Sequence, residues 1–163
     1  MSVGITSGSV LKTLLVDVLG RLRIYDDWSP YLESDVTADD SDKAIAVDAD
    51  YVWKIKSIHI KLITTATAGN RQIVVEYRNG VDTVIAQFRA GIVQAASLTR
   101  YYQFTQQVDD LAAFRDTDLL TTPIPELVLD EAYDVHVYDN AAVDAAADDM
   151  EIQLLVERRS KES

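Results

Sequence analysis

The sequence predicts an all-β protein: an antiparallel β-sandwich, jelly-roll-like, of about eight strands, with an N-terminal arm or hairpin. Apolar residues recur at every second position through most of the middle and C-terminal parts. Turn residues separate these short runs, and helical spacing is confined to one segment near the N-terminus. A chain of 163 residues suits a single domain, since roughly two thirds of the unfolded surface is buried at this size. Residues 1–42 read as an N-terminal arm or hairpin with an acidic loop, and residues 43–163 as the sandwich.

From the N-terminus, Val10, Leu11, Leu14, Leu15, Val18, Leu19 and Leu22 have helical spacing that Gly20 could end. The same letters allow a strand Leu14–Val18, a turn at Leu19–Gly20 and a second strand Leu22–Tyr25, and the extended reading is preferred. The acidic stretch Glu33 to Asp42 reads as a loop. From Tyr51 to Thr65 the apolar residues begin at odd positions (Tyr51, Trp53, Ile55) and move to even ones (Ile58, Ile60, Leu62). A strand changes its buried face only by inserting a residue, so a β-bulge is expected near Lys56–Ser57.

After the turn Thr67-Ala68-Gly69-Asn70, residues Arg71, Ile73, Val75 and Tyr77 alternate with Gln72, Val74, Glu76 and Arg78 as a half-buried strand. Arg78-Asn79-Gly80 offers an Asn-Gly hairpin turn. Further strands are read at Val84–Phe88, Arg100–Phe104, Tyr133–Tyr138 and Met150–Val156, although Leu155 breaks the polar face of the last. Pro123 and Pro125 bracket Ile124, which favours an edge or a crossover. The alanine- and aspartate-rich loop Asn140 to Asp149 has nothing to bury and is expected to be exposed and mobile.

The charge is 15 basic against 27 acidic residues, a net of −12, which argues against nucleic acid as a partner. Charge is also segregated along the chain. Nine acids face one base, Lys43, from Asp26 to Asp50, and thirteen face only Arg115 from Asp109 to Glu151. Between them, Tyr51 to Val108 holds seven bases and the two acids Glu76 and Asp82. Either these are solvated clusters, or the molecule is bipolar and attracts neighbours through opposite faces. Met1 to Ser9 lacks the basic and apolar regions of a secretory signal, and no apolar run approaches the ~20 residues of a membrane span, so no membrane is expected.

No enzyme chemistry is expected. There is no cysteine, which excludes thiolate nucleophiles, disulfides and Cys-ligated zinc. The two histidines, His59 and His136, lie in separate predicted strands, without the paired His ligands of metal-dependent jelly rolls, and read as ordinary strand-face residues. No G-x-S-x-G elbow, phosphate-binding glycine loop or dinucleotide fingerprint occurs. Asp39-Asp40-Ser41-Asp42 and Asp139 to Asp149 are acidic enough for calcium but lack the D-x-[DN]-x-[DN]-G pattern. No cofactor or metal is therefore expected. The aromatics Trp28, Tyr31, Trp53, Tyr101 and Tyr102 could form a sugar-stacking platform or an interface anchor, and of these Trp53 and Tyr102 are assigned to the core. Trp28 and Tyr31, around Ser29-Pro30, are read as packing against a partner or folding over a sheet edge.

Three stretches resemble jelly-roll structural proteins of tailed phages: Leu14-Leu15-Val16-Asp17-Val18-Leu19-Gly20-Arg21-Leu22; Trp53 through Thr64-Thr65-Ala66-Thr67-Ala68-Gly69-Asn70-Arg71 into Ile73-Val74-Val75, like their first long hairpin; and Leu127 to Tyr138 with Asp148-Asp149-Met150-Glu151-Ile152. The resemblance covers about half the chain and implies a capsid decoration (cement) protein. Such a protein would be made in the host cytoplasm, be homotrimeric, and bind the major capsid protein on the virion surface. Expected contact residues are Leu14, Leu15, Arg21, Trp28, Tyr31, Lys54, Lys56, Arg71 and Arg78. The alternatives are a head–tail or tail adaptor, a head-fibre base, or a carbohydrate-binding module using Trp28 and Tyr31.

Overall fold

The computed structural model describes residues 28–106, 119–141, 143–144 and 146–161 in full, and 4–7, 10–13, 15–16 and 22–23 as backbone. Every regular element among them is a strand. Two short hairpins come first: β1 (Gly4–Ser7) pairs with β2 (Val10–Thr13), and β3 (Leu15–Val16) with β4 (Leu22–Arg23). The extended reading of this region therefore holds in the backbone. The expected turn at Leu19–Gly20 lies outside the described residues.

Ten strands follow: β5 (Ser29–Asp35), β6 (Asp42–Ala46), β7 (Tyr51–Ile63), β8 (Ile73–Arg78), β9 (Val84–Arg89), β10 (Thr99–Thr105), β11 (Leu119–Pro123), β12 (Val128–Leu129), β13 (Asp134–Asp139) and β14 (Asp149–Ser160). The larger sheet runs β11-β10-β7-β14-β5, with β12 beside the start of β7, and the smaller runs β6-β13-β8-β9. Without β11 and β12, eight strands pass between the sheets in jelly-roll succession: β5, β14, β7, β10 in one and β6, β13, β8, β9 in the other. All pairings in the sandwich are antiparallel except β10 with β11, which is parallel. The stretch expected as a loop from Glu33 contributes Glu33–Asp35 to β5, which pairs with β14 through Arg158 to Ile152.

The phase change in β7 places the core. Trp53 and Ile55 are buried, then Ile58, Ile60 and Leu62. The break falls where expected: Leu155 pairs with Ser57 and Val156 with Ile55, leaving Lys56 as the extra residue. These side chains meet Ile73, Val75 and Tyr77 of β8, Val135 and Val137 of β13, and Met150, Ile152, Leu154 and Val156 of β14. Each large apolar side chain removed from water contributes about 1.5–3 kcal/mol, so the shared inner face dominates stability. Trp53 and Tyr102 belong to this core, as expected.

Three local expectations are corrected. Strand β8 is buried on both faces, because the side pointing away from the core also packs: Val74 is flanked by Tyr138 and Arg89 on the neighbouring strands. The Asn79-Gly80 turn is a five-residue connection in which the Asn79 Oδ1 accepts from the Val81 and Thr83 amides, and Asp82 takes the positive φ. The loop 140–149 is pinned by aspartates: its own Asp148 is fully buried, and Asp139 at the end of β13 accepts from the Gln72 and Ala141 amides.

Four of the edge strands carry devices that discourage pairing with another strand, and the two-residue β12 is too short to offer much of an edge. β5 contains Pro30, and β11 ends in Pro123. β6 turns Lys43 inward, where its ammonium group meets Asp39 and the Thr37 carbonyl. β9 loses register opposite Tyr77 and Arg78, leaving Ile85 unpaired.

Candidate interaction surface

The outer face of the larger sheet is built in rows across the strands. One row reads Leu32, Leu155, Ser57, Thr105, and the next Ser34, Gln153, His59, Gln103, Thr121. A third reads Glu151, Lys61, Tyr101, Leu119. Leu32 and Leu155 are paired neighbours that are 59% and 41% exposed, and Tyr101 and Leu119 are 48% and 46% exposed. Two exposed apolar pairs thus flank a polar strip. A depression of about 310 Å³ adjoins the second pair, lined by Val36, His59, Lys61, Tyr101, Leu119 and Glu151, among others. Some polar groups on this face meet one another: Ser57 Oγ lies 3.2 Å from His59 Nε2, and Lys61 donates to Glu151 at 2.7 Å. That hydrogen bond raises the Lys61 pKa above its ordinary value.

At the start of β5 the same sheet carries a cation–aromatic cluster. Lys54 Nζ stands 4.1 Å from the centre of the Trp28 ring, and Arg159 Cζ 5.0 Å from it. Arg158 Cζ lies 3.5 Å from the Tyr31 ring and 4.6 Å from Tyr51, while its guanidinium also meets Asp48 at 3.2 Å. Tyr31 donates to Glu33, which raises its pKa, and packs on Trp53.

No known protein family matches this chain, and no curated protein matches it significantly. The surface is therefore read from its own geometry.

Of the expected contact residues, the structure brings Trp28 and Lys54 together and sets Lys56 beside Glu126 and Glu157. Tyr31 turns toward Trp53 under Arg158, so Trp28 and Tyr31 do not present two free rings for stacking a sugar. Arg71 is a correction. It is fully buried, bonds to Asp148, Thr67 and Gly69, and has no surface to offer. Arg78 lies in the other sheet, bound to Glu76. Leu14, Arg21 and the Leu15 side chain lie outside the described residues. The exposed pairs Leu32–Leu155 and Tyr101–Leu119 were not singled out. The signals were Leu155, an apolar residue on the polar side of its strand, and Tyr101, one of the aromatics read as able to anchor an interface.

Charges segregated along the sequence neutralise one another in space. Lys56, Lys61 and Arg71 from the basic middle pair with Glu126, Glu151 and Asp148 from the acidic stretch, and Lys56 also with Glu157 beyond it, chiefly because β7 adjoins β14. This arrangement weakens the bipolar reading.

The outer face of the smaller sheet is a polar lattice. Glu76 accepts from Gln87 at 2.6 Å, Tyr138 at 2.8 Å and Arg78 at 2.9 Å. His136 stacks on Tyr138, contacts Asp42 through Nε2, and keeps a buried Nδ1 without a hydrogen bond 3.8 Å from Glu76. Among the described residues, no group of three or more His, Asp or Glu is placed to hold a metal ion.

Proposed function

We propose that this protein is a structural subunit of a tailed-phage particle, a capsid decoration protein that seats one sheet face against the major capsid protein and other copies. The supporting observation is the pairing of Leu32 with Leu155 and Tyr101 with Leu119 on an open face, in a sandwich whose edge strands β5, β6, β9 and β11 are blunted. Such a molecule associates through side-chain burial on a face, not by extending its sheets. Many copies on a lattice multiply modest contacts into firm attachment. The sequence resemblance to jelly-roll phage proteins supplies the class of partner.

Co-sedimentation of the purified chain with undecorated phage heads tests this reading. Pelleting at a copy number matching the capsid lattice is expected, with weaker pelleting for Leu32→Glu/Leu155→Glu. Binding at only a few copies per particle would point to a neck or tail adaptor instead. Absence of binding to heads would remove the proposal.

A further inference from the structure

We infer that the outer face of the larger sheet is a two-fold joint with a second copy of this chain, with His59 at the axis. The inference deepens the structural-subunit reading by naming how copies join, and it can fail while capsid binding stands.

The placement of exposed apolar surface makes the face complementary to itself. Its strands lie in the order β5, β14, β7, β10, β11. Leu32 and Leu155 stand on the first two strands in one row, and Tyr101 and Leu119 on the last two, two rows farther along. His59, on the middle strand and in the middle row, is midway between the pairs. At about 4.8 Å per strand and about 3.3 Å per residue, the pair centres are offset by about 14 Å across the strands and about 13 Å along them. A two-fold axis can lie in the plane of the face, through His59 and at right angles to the line joining the pairs. It sets Leu32 and Leu155 of each copy on Tyr101 and Leu119 of the other. One operation thus covers both pairs on both copies, as an isologous interface requires. Because the two offsets are nearly equal, the strands of the two copies cross close to a right angle. Orthogonal crossing is one of the two ways in which sheets pack face to face.

Charge favours the same occupant. In these three rows only Lys61 and Glu151 carry a formal charge, and they cancel, in a chain of net −12. Copies with that excess repel one another overall, and a neutral face is where they can meet. The axis brings each Glu151 near its counterpart, and each carboxylate is accompanied by its own Lys61 at 2.7 Å. Gln153, His59 and Gln103 pack across the axis on the same strip of the second copy, with amide and imidazole groups that both donate and accept. The joint is two-fold, so a three-fold assembly needs a second interface.

The absence of native cysteine allows a direct test in the full-length chain. Single-cysteine variants are treated with a short bismaleimide, because packed sheets stand about 10 Å apart, too far for a direct disulfide. His59→Cys should cross-link to itself. Leu155→Cys should cross-link to Tyr101→Cys when the two are mixed, while neither alone couples above the level of a control cysteine at Val81, an exposed turn position. Light scattering of the unmodified chain should show a dimer or a multiple of it. Leu32→Glu/Leu155→Glu and Tyr101→Glu/Leu119→Glu should each abolish the pairing, with circular dichroism confirming that the strands are kept. An unmodified chain that is monomeric or trimeric would overturn the inference. So would pairing that survives both double substitutions, or Leu155→Cys coupling to itself as readily as His59→Cys. Head co-sedimentation of the unmodified chain, scored separately, reports on the structural-subunit reading alone.

Discussion

Arg71 and Asp148, 77 positions apart in sequence, form a fully buried ion pair with Nε donating to Oδ2 at 2.7 Å. The remaining guanidinium donors reach the carbonyls of Thr67, Gly69 and Val143 and the Thr65 hydroxyl. Asp148 also accepts from the Thr65 amide, and Asp144 from the Thr65 and Thr67 hydroxyls. One pair thus clasps the β7–β8 crossover to the loop before β14.

Breaking that clasp from one side strands a charge in the interior. Arg71→Ala or Asp148→Ala should cost about 3–5 kcal/mol, which at this chain length lowers Tm by about 10 °C. Arg71→Met combined with Asp148→Leu should recover much of the loss, because no unpaired charge remains. Chemical denaturation of the three variants checks this; equal losses in all three would refute the charge-based account.

Gly69 sits in the same clasp at φ +148°, and a Cβ there would meet Val143 Cγ1 at 2.8 Å. Gly69→Ala should therefore destabilise by about 1–3 kcal/mol through backbone strain and this clash. Adding Val143→Ala should return only the steric part. A thermal-melt double-mutant cycle separates the two contributions.

The bulge at Lys56 sets which side chains of β7 face the core. Deleting Lys56 would rotate Tyr51–Ile55 by one position and drive Trp53 and Ile55 toward solvent. The expected outcome is loss of cooperative unfolding and of dispersed amide signals in NMR. Lys56→Ala, which keeps the extra residue, should fold normally and lose only the surface pairs with Glu126 and Glu157, at a cost under about 1 kcal/mol.

This bulge also shows why the fold was legible in the sequence. Period-two burial leaves its mark wherever one face is wet and the other dry, and an inserted residue shifts that mark visibly. Where both faces are covered the mark fades, so β8, with Val74 and Glu76 buried beside Val75 and Tyr77, read as a half-exposed strand. The loop before β14 read as unstructured because alanines and aspartates bury little apolar surface. Its order comes from carboxylates meeting distant donors, Asp148 with Arg71 above all, and no local pattern announces a partner 77 residues away. The candidate surface was obscure for the same reason: Leu32 meets Leu155, and Tyr101 meets Leu119, only after strand order is known. Trp28 stood out beforehand because an aromatic in a proline-containing acidic segment is unusual without neighbours, and Lys54 and Arg159 supply them.

On the smaller sheet, two carboxylates should respond to pH with opposite signs. Burial alone would push the Glu76 carboxyl up, but hydrogen bonds from Gln87, Tyr138 and Arg78 outweigh it and hold the pKa below the usual range. Its stabilisation is therefore present above the unfolded carboxylate pKa and is lost as pH falls through the lower folded value. For Asp134, burial dominates and raises the pKa, and its Oδ1 has no hydrogen-bond partner. The charged form is the disfavoured one, so folding is relatively strongest below the unfolded pKa and weakens as pH rises through the folded value. Glu76→Gln should accordingly destabilise at neutral pH, with the deficit shrinking in acid. Asp134→Asn should stabilise at neutral pH, with the gain shrinking in acid. Urea midpoints from neutral pH down through the carboxylate range decide the matter: parallel curves for wild type and both variants would mean that neither group carries the titration assigned to it.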